Sequence, residues 1–173
     1  VCNCGMTCQG RKPVLITGKE QDEILEDTMN ALEYALGDPE SKWGSLRTRM
    51  GHREPFRLTY LEIGNENFGP DYEERYRRFY DVIKEKYPHL KVVANAHIEE
   101  HDCVTEYVDE HFYNSTEFFA ENQNYYAEYD RKGPKIFVGE QAVNEGAHLG
   151  KLYGALGEAA FLIGLEKNQD VVA

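Results

Sequence analysis

Short apolar runs alternate with longer stretches of helical periodicity along this chain, and that alternation restricts the fold more than any other feature. Leu58 to Ile63, Val92 to Ala96, Tyr107 to Tyr113 and Lys135 to Val138 read as strands, the last stopped by Gly139. Between them, apolar residues recur at helical spacing: Ile24, Thr28/Met29, Leu32 and Leu36 within Glu20 to Leu36, then Tyr72, Tyr76, Phe79, Tyr80, Ile83 and Tyr87 over about Tyr72 to Lys86. Gly37 with Pro39 ends the first of these helices, Asp71 with Glu74 gives the second a capping-box-like start, and Pro88 ends it. Asn114 is placed to cap a helix reaching about Tyr129, after which Gly133-Pro134 resets the chain. A last helix, roughly Leu149 to Lys167, is rich in Ala, Leu and Gly and is expected to pack tightly on a sheet.

Strands joined through helices must run parallel, so the expected class is α/β. Val1 to Cys4 reads as the end of one strand and Asp170 to Ala173 as the approach to another, with four complete strands between them. That is more than half of a (β/α)8 barrel of about 250 residues, and not the whole of it. Residues 1–173 are accordingly expected to form one incomplete barrel domain. Val1 sits inside a strand-like run without Met, which leaves room for a targeting peptide or a further domain upstream, and localisation is not legible.

The formal net charge of -12 opposes phosphate-backbone binding, which needs clustered Lys and Arg, so nucleic acid is not an expected partner. No apolar run approaches the roughly 20 residues that span a bilayer, so no membrane partner is expected either. Cys2, Cys4 and Cys8 are close together and Cys103 is remote, a poor match to paired zinc-site spacing. Small buried thiols are the expected reading.

Two acidic residues stand apart. Tyr60-Leu61-Glu62-Ile63 passes directly into Gly64-Asn65-Glu66-Asn67, which puts Glu66 at the C-terminal tip of a strand, where a barrel keeps its chemistry. Lys135-Ile136-Phe137-Val138 is likewise followed by Gly139-Glu140. A lone Glu in a strand-to-helix loop is ordinarily a solvated residue or a helix cap, as most of the 31 acidic residues here must be. Two at equivalent strand tips, separated by two strands, would face each other across a barrel mouth, the arrangement that acid/base chemistry needs. Glycosidic cleavage with retention requires the carboxyl groups roughly 5 to 5.5 Å apart, and wider spacing indicates inversion.

At these residues the chain resembles a known family. Tyr60 to Asn67, with Gly51-His52-Arg53-Glu54-Pro55-Phe56 before it, is similar to the segment leading to the acid/base in the α-L-arabinofuranosidases of glycoside hydrolase family fifty-one, a clan A (β/α)8 family. Val108-Asp109-Glu110-His111-Phe112-Tyr113 is similar to its sixth-strand motif, and Lys135 to Glu140 to its seventh strand. The likeness implies a partial barrel from about strand 3 to helix 7, truncated at both ends, without the family's C-terminal β-sandwich.

The resemblance also implies roles. Glu66 would be the general acid/base and Glu140 the nucleophile; Asn65 would hydrogen-bond the sugar's 2-hydroxyl, an interaction able to strengthen in the transition state. Tyr113 would donate its phenol proton to Glu140, and His111, two residues away on the same strand face, would line the pocket. A hydrogen-bonded histidine of the barrel interior is the plain alternative for His111. The implied reaction is a double displacement through a covalent arabinosyl-enzyme, in which the affinity of Glu66 for its proton is high while Glu140 is charged and falls once Glu140 is esterified. The substrate would be an arabinose-containing glycan, and no metal or organic cofactor is required. Where many members carry an aromatic after the nucleophile, this chain has Gln141-Ala142-Val143-Asn144, so its subsite wall differs. Trp43 precedes a strand and is expected to be structural rather than a sugar platform.

Two other readings stand beside this one: a non-catalytic carbohydrate-binding or scaffold fragment, and a different clan A glycosidase sharing only Asn-Glu. An open barrel exposes sheet edges, so self-association, or association with the remainder of a parent chain, is expected.

Overall fold

The computed structural model describes residues 18–98, 105–146 and 149–173. The expected strand at Val1 to Cys4 and the four cysteines lie outside them. The chain falls into two compact units, Val1–Val104 and Thr105–Ala173.

In the first unit, helix α1 spans Gly18–Leu36, α2 Lys42–Arg49, strand β1 Tyr60–Ile63, helix α3 Pro70–Lys86 and strand β2 Lys91–Ala94. β1 and β2 pair in parallel, with Tyr60 opposite Lys91 and Ile63 opposite Ala94. Their core is the expected helical stripes: Leu32 from α1 and Tyr72, Tyr76, Phe79 and Ile83 from α3 are buried with Ile63, Val92 and Ala94.

Helix α2 was not anticipated. Ser41 caps it, its Oγ accepting from Gly44 N at 3.1 Å. Arg47, on its buried side, is fully covered and donates to the carbonyls of Tyr34, Gly37, His52 and Arg53 at 2.6 to 3.2 Å, which clamps the segment leading into β1. Trp43 lies on this helix, its indole N–H donating to Asn30 Oδ1 at 2.7 Å, a structural contact. The start of α3 also differs from expectation. Its N-cap is Gly69, at φ 87 and with no side-chain cap, and Pro70 opens the helix with the φ that a first turn wants; Asp71 and Glu74 form no capping box there.

In the second unit, strand β3 spans Tyr107–Asn114, helix α4 Thr116–Glu121, strand β4 Lys135–Val143 and helix α5 Leu152–Lys167. The helix expected to run to Tyr129 is only six residues long, and its cap is Ser115 rather than Asn114. It ends where Asn122 turns its amide back to Phe118 O at 2.8 Å, and turns carry the chain onward. Tyr126 is buried in those turns and donates to Glu110 Oε2; burial pushes its phenol well above the ordinary range, and the Glu110 hydrogen bond adds to this.

β3 and β4 pair in parallel, but β4 does not stop at Gly139 as expected. Tyr107, Val108 and Asp109 lie opposite Lys135, Ile136 and Phe137, and then the register slips so that His111 meets Glu140. One extra β4 residue is accommodated in a bulge, after which pairing resumes to Val143. Glu140 and Gln141 are therefore strand residues and not part of a loop. The tail expected to approach another strand makes a single parallel bridge, Val172 to Ile136. α5 buries one side, Gly154, Gly157, Phe161 and Gly164, and leaves Leu152, Leu156 and Ile163 exposed.

Candidate active site

The first unit presents Asn65 and Glu66 on the loop after β1. Tyr72, buried on α3, donates its hydroxyl to Ile63 O at 2.8 Å and accepts from Asn95 N at 2.8 Å, tying the ends of β1 and β2 to the helix behind them. Asn95 Nδ2 in turn donates to Asn67 O at 3.1 Å, and buried Asn67 accepts from Asn65 N through Oδ1 at 3.2 Å. Gly64 is required at the turn: its φ is 96, and a Cβ would lie 2.5 Å from Asn95 Oδ1 and 2.9 Å from the Tyr72 ring. Within this frame Glu66 takes φ 51, the one left-handed non-glycine among the described residues, and its side chain is exposed. A left-handed glutamate costs on the order of 1 to 3 kcal/mol and persists only where the surroundings impose it, which is characteristic of functional positions.

The second unit brings His111, Tyr113 and Glu140 together. Strand alternation sends Asp109, His111 and Tyr113 to one face of β3, while Val108, Glu110 and Phe112 point to the other, into the aromatic core with Tyr126 and Phe161. The bulge then sets Glu140 beside His111. Tyr113 Oη donates to Glu140 Oε2 at 2.5 Å, short as expected when a phenol meets a carboxylate. His111 Nδ1 lies 3.7 Å from the same oxygen, and His111 Nε2 faces Asp109 Oδ2 at 2.8 Å. Burial grades along this row: the side chain of Asp109 is 3% exposed, that of His111 14% and that of Glu140 41%. The outermost carboxylate is accessible to a reactant, and the innermost is sealed.

Asp109 is the member that sequence reasoning missed. Its signal was present, since Asp, His and Tyr at alternate positions of a strand share a face. Its second partner was not legible: Gly139 N donates to Asp109 Oδ1 at 2.7 Å only because of the bulge.

Chemically, the arrangement supplies an exposed carboxylate oriented by a phenol, and a second carboxylate on a strained strand-tip loop. Comparisons with known proteins bear on the family and the fold. The model of the alpha-L-arabinofuranosidase 1 domain matches residues 1–131. The chain is 41% identical over 183 residues to the extracellular exo-alpha-L-arabinofuranosidase of Streptomyces chartreusis, covering 92% of this chain and 22% of that protein. It is 43% identical over 153 residues to alpha-L-arabinofuranosidase 1 of Arabidopsis thaliana, covering 86% and 23%. The chain thus spans less than a quarter of the length of these two relatives. Among solved structures, an arabinose-bound family 51 α-L-arabinofuranosidase superposes with a TM-score of 0.78 at 26% identity, over 94% of this chain and 28% of that one. The Thermotoga maritima enzyme in its arabinose complex, at 20% identity and a TM-score of 0.65 over 86% of this chain and 39% of that one, supports the fold alone. The fold is accordingly α/β, part of a (β/α)8 barrel, and the chain belongs to the α-L-arabinofuranosidase family whose domain model it matches.

Proposed function

We propose that this chain carries the catalytic centre of a retaining α-L-arabinofuranosidase, as an incomplete barrel domain, with Glu140 as nucleophile and Glu66 as general acid/base. The observation that carries the reading is the Tyr113 hydroxyl donating to Glu140 Oε2 at 2.5 Å, which aims one oxygen of an exposed carboxylate. In the first step a Glu140 oxygen bonds the anomeric carbon of a terminal arabinofuranosyl group as the glycosidic C–O bond breaks, and the proton of Glu66 passes to the departing oxygen. In the second, Glu66 takes a proton from water, whose oxygen displaces Glu140 from the same carbon. Two inversions give retention. Asn65 contributes a hydrogen bond to the sugar, and His111 lines the pocket beside Glu140. The substrate class is an arabinose-containing glycan.

The test is hydrolysis of 4-nitrophenyl α-L-arabinofuranoside by this chain, alone and joined to the remainder of a relative's sequence. Glu140→Ala is expected to abolish turnover. Glu66→Ala is expected to spare substrates with good leaving groups in the first step and to recover with azide, because only a poor leaving group needs the proton. Equal loss on good and poor leaving groups, without azide recovery, contradicts the acid/base assignment. The chain alone is expected to be weak, since small misplacements of a site can cost about a hundredfold, and to associate with itself or with the missing portion.

A further inference from the structure

We infer that Asp109 is a positioning residue that fixes the ring tautomer of His111, holding its proton on Nε2 and presenting Nδ1 as an acceptor beside Glu140. The bearing of this on catalysis rests on the role proposed for Glu140, while the geometry stands by itself.

A carboxylate sealed to 3% exposure needs partners for both oxygens, because an unmatched buried charge is costly. Asp109 has one partner for each. Oδ1 accepts from Gly139 N at 2.7 Å, and Oδ2 meets His111 Nε2 at 2.8 Å. A carboxylate only accepts, so the hydrogen of the second bond belongs to Nε2. The neutral ring then has its lone pair on Nδ1, 3.7 Å from Glu140 Oε2, and Tyr113 supplies the hydrogen bond that this oxygen receives at 2.5 Å. Orienting one imidazole nitrogen through the bond made by the other is a general device.

Two further features serve the same arrangement. The β4 bulge lies between the residues opposite Asp109 and His111, so it turns the Gly139 amide towards Asp109 and also returns Glu140 to the level of His111. Glycine at 139 leaves room for this contact, because a Cβ would stand 2.5 Å from Asp109 Oδ1 and 2.8 Å from Oδ2.

Asp109→Asn makes a sharp test because it is isosteric and reverses the polarity. The Gly139 N–H still needs an acceptor and holds the amide oxygen in place, which puts the Asn NH2 against Nε2. Nε2 must then accept, and the proton moves to Nδ1, aimed at Glu140. The readout is the long-range 1H–15N ring spectrum of the 15N-labelled chain in mildly alkaline solution, where imidazole is ordinarily neutral. His111 is assigned by the signals lost in His111→Gln. The expected result is an Nε2–H ring in the native chain, with a slowly exchanging proton, and an Nδ1–H ring in Asp109→Asn.

An Nδ1–H or doubly protonated ring in the native chain overturns the inference, as does an unchanged tautomer in a folded Asp109→Asn. Should that variant unfold, the native Nε2 proton decides: a slowly exchanging signal upholds the pinned ring, and an exchange-averaged ring refutes it. No turnover is involved, so a chain that hydrolyses nothing refutes the proposed activity and leaves this assignment standing.

Discussion

Replacing Gly139 by alanine tests whether the β3–β4 bulge holds the site together, and its cost can be worked from distances. The new Cβ would lie 2.5 Å from Asp109 Oδ1, 2.8 Å from Oδ2 and 2.9 Å from Cγ, all inside contact distance. Asp109 has a short side chain, is buried, and is tied at both oxygens, so it cannot swing clear. If it is pushed back, the charge-assisted bond from Gly139 N is lost, at about 1.5 to 3 kcal/mol. If it stays, the strand absorbs an overpacked methyl at about 1 to 3 kcal/mol. Against either stands the entropy that alanine removes from the unfolded chain, about 0.4 to 1 kcal/mol in favour of the variant. The net expectation is a loss of about 0.5 to 2.5 kcal/mol, or more if the His111 contact fails as well. Urea denaturation followed by circular dichroism is the assay, because the single tryptophan, Trp43, lies on α2 in the other unit and reports that unit. Gly146→Ala is the comparison: nothing lies within 4 Å of its would-be Cβ, and only its φ of 83 costs anything. A Gly139→Ala midpoint equal to that of the parent, with native β3 amide exchange, would refute the reasoning.

Tyr113→Phe removes the hydroxyl that donates to Glu140 Oε2, and kcat in the arabinofuranoside assay is expected to fall about ten- to a hundredfold with little change in KM; unaltered kcat counts against the orienting role. Glu66→Asn places a residue tolerant of left-handed backbone at φ 51, so it should raise the urea midpoint by the equivalent of about 0.5 to 1 kcal/mol while removing the proposed proton donor; a variant less stable than the parent contradicts the strain. Glu33 accepts from Trp43 N at the start of α2, which is the largest reason its carboxyl is held below the usual carboxylate range. A lowered folded-state pKa stabilises above the unfolded value, and that stability is lost as pH falls through the folded one. Glu33→Gln should therefore be less stable than the parent at neutral pH, with the gap closing in acid; a gap independent of pH in urea titrations speaks against this.

What the sequence made legible was periodic or terminal. The stripes of α1 and α3 follow from spacing alone, and the C-terminal end of β1 is marked by Gly64-Asn65, which puts Asn65 and Glu66 just beyond Ile63, whereas its start lies at Tyr60 rather than at Leu58. Helix α2 escaped because Gly44 and Trp43 weaken its propensity, and its stability comes from partners distant in sequence, Arg47 on four carbonyls and Glu33 on Trp43 N. α4 was overextended because the aromatic spacing from Phe118 to Tyr129 suits a helix, while Asn122 and Asn124 favour turns that the hydrophobic pattern cannot express.

At Gly139 a local sequence signal and its structural cause differ. A glycine after four apolar residues reads locally as the end of a strand. Its actual reason is the carboxylate of Asp109, thirty residues earlier, which leaves no room for a Cβ and takes the amide hydrogen. Glu140 consequently sits within a paired strand, held by register and by Tyr113, whereas Glu66 sits on a loop in a conformation that glutamate resists, held by Gly64, Asn67, Asn95 and Tyr72. The two devices match the proposed roles. A nucleophile must meet one carbon in one direction, which rigid pairing supports, and an acid that becomes a base must serve first a leaving oxygen and then a water. Glycine or asparagine would relax φ 51; the proposed proton transfer is what would require glutamate there, on a loop whose hydrogen bonds hold it.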